Sequence, residues 1–125
     1  MTETSLLDGF MIDQAPDALI GSDARGTIIR WNLAAEALLG YRADEALGRN
    51  LDLVIPPHLR AAHWRGFEQA MRTGRTKHHG EAVLTAATHK DGTRRYAEVA
   101  FSLVRDGEGR IAGALAIARP KRREG

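Results

Sequence analysis

Apolar positions change their period twice along the chain. Leu6, Leu7, Phe10 and Met11 recur at helical spacing, which predicts a short amphipathic helix over 4–13, ended by Pro16. Asp17 to Ser22 and the β-branched run Thr27 to Trp31 then read as two strands. Asp23-Ala24-Arg25-Gly26 between them is a tight turn, with Gly26 suited to positive φ. Asn32 is a good helix N-cap; Leu33, Ala37 and Leu38 line one face of the helix it opens, and Gly40 ends it. A second short helix is predicted over Ala43 to Leu47. The longest is predicted over 57–73, with Pro57 in its first turn and Leu59, Ala62, His63, Gly66, Phe67, Ala70 and Met71 on one face.

Beyond Gly74 the period drops to two. Glu81 to Thr88, Arg94 to Arg105 and Arg110 to Ala118 are predicted strands, joined at Asp91-Gly92 and at Asp106-Gly107-Glu108-Gly109. In the last strand Ile111, Leu115 and Ile117 share one face. Two strands, several helices and three strands joined by tight turns do not alternate as a parallel sheet requires. An α+β domain satisfies the order: a five-stranded antiparallel sheet with helices packed on one face. The chain divides into an N-terminal helix (1–14), this domain (15–118) and a basic tail (119–125).

Composition narrows the chemistry. The 125 residues suit one hydrophobic core, and 43% hydrophobic with 27% charged residues is ordinary globular usage. No apolar run approaches the ~20 residues of a membrane helix, and the acidic start lacks the basic region of a secretory signal. A cytoplasmic location is the expectation. With no cysteine, disulfides, thiolate metal sites and thiol-anchored chromophores are excluded. Net charge is +2, with much of the excess in Arg119 to Arg123, which reads as a solvated terminus; direct nucleic-acid binding is not expected. No serine elbow, phosphate loop or zinc-protease motif occurs, and no convergent set of titratable groups is visible, so an enzyme is not expected. His78 and His79, adjacent on an extended chain, point to opposite faces and are poor joint ligands with His89.

The order and spacing of several short pieces resemble the PAS domain family over about residues 10–118. These are Ala15-Pro16-Asp17-Ala18, Asp23-Ala24-Arg25-Gly26, Trp31-Asn32-Leu33-Ala34-Ala35-Glu36 running into Leu39-Gly40-Tyr41, Glu45-Ala46-Leu47-Gly48, Ile55-Pro56, Lys90-Asp91-Gly92 and the return from Gly107 to Gly113. The resemblance implies a glove-shaped fold whose sheet and long helix enclose a pocket for heme, flavin or a small metabolite. It also implies a homodimer through the N-terminal helix and the outer sheet face, and a signal passed to an effector such as a kinase, cyclase or transcription factor. The Asp-Ile-Thr junction common after the last strand is absent; Ala118-Arg119-Pro120-Lys121 stands there.

Ile55-Pro56-Pro57-His58-Leu59-Arg60-Ala61-Ala62-His63 is similar to the same stretch of oxygen-sensing heme PAS domains, in which the histidine at this place holds the iron. That resemblance implies heme b on His63, with Leu59, Phe67, Val83, Val99, Phe101 and Leu115 around it. It would also place a methionine or arginine at Glu81 or Val83, and neither is there. Met71, about 12 Å along the same helix, cannot reach iron held by His63. The alternatives are a pocket filled by an unknown small molecule, or one filled by side chains in a ligand-free interaction and dimerisation module.

Overall fold

A computed structural model describes residues 2–121. Its sheet is five-stranded and antiparallel throughout, in the order β2-β1-β5-β4-β3. The strands are β1 (Ala18–Asp23), β2 (Ile28–Trp31), β3 (Val83–Thr88), β4 (Arg94–Arg105) and β5 (Ile111–Pro120). The helices are α1 (Glu3–Gln14), α2 (Leu33–Leu39), α3 (Ala43–Ala46) and α4 (Arg60–Thr73). No helix among the described residues is long and apolar enough to cross a membrane.

Local chemistry sets these boundaries. Asn32 caps α2 by accepting from Ala35 N–H, and Gly40 closes it at φ 82°. The helix predicted over 57–73 is broken: Pro57–Leu59 form one 3-10 turn, Leu59 sits at φ −102° and ψ −6°, and α4 starts at Arg60. Similarly, β3 starts at Val83 rather than Glu81. His79 and Gly80 both adopt positive φ there, and Glu81 N–H returns to the His78 carbonyl, closing a turn.

At the other end, β5 runs past Ala118. Arg119 lies opposite Glu98 and Pro120 opposite Ala97, so the first two residues of the expected tail belong to the sheet. Proline is tolerated because β1 begins at Ala18, opposite Ala118, and no strand lies beyond it to receive a Pro120 N–H. Arg119 also donates to both carboxylate oxygens of Asp17, at 3.1 and 3.2 Å. Residues 122–125 of the expected tail lie outside the described residues.

The buried core is small-residue-rich: Ala18, Ile20, Ile28, Trp31, Ala35, Leu39, Ala46, Val54, Ala97, Val99 and Ala118. Trp31 is 3% exposed and donates its indole N–H to the Tyr41 carbonyl at 2.9 Å. By contrast, α1 forms but has no fully buried residue, and only Ile12 is half-buried. Leu6, Leu7, Phe10 and Met11 are 49–61% exposed, so these side chains find no covering partner among the described residues.

Candidate functional site

Strand register builds the site. Ile20 lies opposite Ala116, which lies opposite Phe101; Ser22 pairs with Ala114, and Thr85 with Ala97. These residues share one face, and on β5 that face is alanine at 114, 116 and 118. Small side chains leave the sheet floor hollow. α4 crosses above it with no fully buried residue, and between them lies a cavity of about 380 Å³. That is within the roughly 300–1,000 Å³ of small-molecule sites.

Six of the seven residues expected around a ligand line this cavity: Leu59, His63 and Phe67 from the helical side, Val99 and Phe101 from β4, and Leu115 from β5. Val83 does not. It lies opposite Val99 on the same sheet face, but the hollow reaches β3 only at Thr85, Ala86 and Ala87. Leu115 borders the hollow, yet its place opposite Gly21 and Ser102 sets its side chain on the outer face. Glu81 is exposed in the turn before β3. Residues that the sequence did not assign to the site complete the wall, among them Leu38 and Leu39 from α2 and Leu51, Val54 and Ile55 from the turns that follow α3. A signal for the hollow was present, in the alternate alanines of β5.

His63 is the polar feature of the helical wall. Its Nδ1 is buried with no hydrogen-bond partner. Burial pushes its pKa below the ordinary 6.5, with the Asp52 carboxylate pulling weakly the other way, so the imidazole is neutral at neutral pH. Its ring packs against Trp64 and Phe67, with centroids 4.6 and 6.0 Å away.

Trp64 fixes the height of α4. Its indole N–H donates to Asp52 Oδ1 at 2.8 Å, and its six-membered ring lies against Gly26 so closely that a Cβ there would overlap it. Arg60 adds bonds to the Ile55 and Asp52 carbonyls. Arg105 holds the far end of the helix through the Gly74 carbonyl at 3.3 Å. The helix is therefore pinned at both ends, with His63 inside the first anchor between Arg60 and Trp64, and has no such tie in the middle, where Phe67 looks onto the cavity. A second hollow of about 210 Å³ adjoins the first behind His63, Phe67 and Phe101.

Comparison with known proteins agrees with this architecture. The family model described as PAS fold matches residues 9–121. The oxygen sensor protein DosP of Escherichia coli is 32% identical over 84 residues, which are 67% of this chain and 10% of that protein. The sensor protein FixL of Bradyrhizobium diazoefficiens is 31% identical over 78 residues, 62% of this chain and 15% of that one. The chain thus spans only a small part of these relatives' length. Among solved structures, a PAS domain from Colwellia psychrerythraea superposes with a TM-score of 0.80, covering 95% of this chain and 98% of that one at 23% identity, a likeness of fold. With its sheet, its bridging helix and the hollow between them, the chain belongs to the PAS family.

Proposed function

We propose that this domain senses a small ligand held in the cavity, and that the ligand is heme b on His63. The observation that carries the reading is a neutral imidazole set in an apolar hollow with a buried, unpartnered nitrogen. A neutral imidazole suits heme iron, and apolar walls retain a porphyrin. The similarity to an oxygen sensor protein supports the same reading. Bound heme supplies an iron that takes a diatomic gas or changes redox state. The chain's own residues hold and orient it: His63 from α4, Leu59 and Phe67 beside it, Val99 and Phe101 from the sheet.

Gas binding or a redox change biases the domain only by its differential affinity for two arrangements. The element free to differ is the middle of α4, between its anchors at Trp64 and Arg105. In this reading the domain binds and relays. Its output passes to an effector in a transcriptional or two-component pathway in the cytoplasm.

The test is absorbance. Protein expressed with heme supplied, or reconstituted with hemin, is expected to show an intense Soret band. His63→Ala is expected to lose it while keeping its circular-dichroism spectrum. A colourless wild-type protein, or an unchanged band in His63→Ala, overturns the reading.

The domain acts as a homodimer in this proposal. Leu6, Leu7, Phe10 and Met11 on α1 are exposed, as are Leu84, Val104 and Ile117 on the outer sheet face. Burying such side chains is worth about 1.5–3 kcal/mol each, enough in combination to hold two copies together. Phe10→Glu is expected to shift light scattering from dimer to monomer. A wild type that is monomeric at high concentration rejects the interface.

A further inference from the structure

The sheet wall of the cavity, opposite His63, has two lining residues with polar side chains, Ser22 and Thr85. Each hydroxyl carries one proton, and each proton is already given to the backbone. Ser22 is 3% exposed and donates to the Asp23 carbonyl at 3.0 Å; Thr85 donates to the Val83 carbonyl at 3.1 Å. Val99 and Phe101 between them are apolar, and the backbones of β1, β4 and β5 are paired on both sides within the sheet, with β3 at its edge. Among the described lining residues, then, no side chain on this wall has a hydrogen-bond donor to spare.

Resting on the heme reading above, we infer that this wall makes the site select carbon monoxide over dioxygen. The distal donors of a heme pocket are what favour dioxygen, which becomes polarised on binding and needs a hydrogen bond to match. Carbon monoxide is polarised far less and is served by an apolar wall. For Ser22 or Thr85 to help dioxygen, a hydroxyl would have to abandon a backbone carbonyl, which offsets the gain.

The experiment loads the protein with hemin, reduces it, and titrates it with each gas while following the Soret band. Wild type is expected to bind carbon monoxide tightly and dioxygen weakly. Thr85→Val and Ser22→Ala are expected to leave the ratio of the two affinities unchanged. Val99→Gln, which adds an amide donor in the hollow, is expected to raise dioxygen affinity about tenfold or more, with little change for carbon monoxide. Tight dioxygen binding in wild type that falls in Thr85→Val or Ser22→Ala overturns the inference, because a hydroxyl has then turned to the gas. So does a Val99→Gln protein that folds, binds hemin and gains nothing for dioxygen. Should Val99→Gln fail to fold, the two conservative variants decide alone. Failure of the heme reading shows separately, as the absence of any Soret band.

Discussion

Asn32→Leu is expected to remove about 3–5 kcal/mol of stability, a large share of the roughly 5–15 kcal/mol that holds a small domain folded. Asn32 is 1% exposed and makes four hydrogen bonds to the backbone of three different elements. Its Oδ1 accepts from Leu19 N–H in β1 at 2.9 Å and from Ala35 N–H in α2 at 3.0 Å. Its Nδ2 donates to the Ile12 carbonyl of α1 and the Asp17 carbonyl just before β1, both at 3.0 Å. Leucine fills nearly the same volume, so the effect isolates the polar atoms. Each buried group left without a partner costs about 1–3 kcal/mol. The total falls short of four such losses because the Ile12 carbonyl keeps a long contact with Ala15 N–H and some of the others reach water. Urea denaturation checks it: with a slope of about 1–3 kcal/mol/M, the midpoint should drop by roughly 2 M. A drop worth less than about 1 kcal/mol would mean that the hub is not satisfied as described. The consequence reaches the site, because α2 carries Leu38 and Leu39 of the cavity wall.

Asn32 also marks how far the sequence could be read. As an N-cap before Leu33 it was legible, and α2 starts where that reading puts it. Its hold on α1 and β1 was not, because those bonds span 20, 15 and 13 residues and leave no local pattern. The same division runs through the fold. Strand β4 matches its expected span, Arg94–Arg105, since alternation and two tight turns fix it locally. The break at Leu59 and the late start of β3 depend on backbone conformations that residue type only weakly dictates.

The site was half legible for a sharper reason. On β5 the residue expected in the pocket, Leu115, sets its side chain on the opposite face. Leu115 and Ile117 do share a face, but it is the outer one, with Ile117 40% exposed, while a bulge at Val104 and Arg105 separates Ile111 from them. Alanines 114, 116 and 118 point inward, because a domain that keeps a hollow must line it with small side chains. Hydrophobic burial alone would choose the opposite register; cavity and partner surface together explain this one. On helix α4 the periodicity was reliable, and His63 and Phe67 stand where it put them. Trp64, next to His63 but off the apolar stripe, is the tie between α4, Asp52 and the β1–β2 turn.

The second large effect is expected from the smallest substitution, Gly113→Ala. Gly113 is buried in β5, between Asp23 of β1 and Val104 of β4. A Cβ there would overlap the Ser22 carbonyl oxygen, stand 3.2 Å from its carbon and 3.4 Å from Asp23 Cα. All three neighbours are backbone, so no side chain can swing aside; β1 and β5 must part. Overpacking of flexible cores costs about 1–3 kcal/mol, and a clash between two paired strands belongs at or beyond the top of that range. The displaced strands carry Ser22 and Ala114, both in the cavity wall, so ligand uptake should weaken with stability. Gly66→Ala, in α4, supplies the contrast. Its Cβ meets nothing within 4 Å, its backbone is helical, and replacing a mid-helix glycine should stabilise by about 0.5–1 kcal/mol. Thermal melts of the two variants should therefore move in opposite directions from wild type. If Gly113→Ala melts with the parent, the close approach of β1 to β5 is relaxed in solution, and the floor of the cavity is wider than the strand register implies.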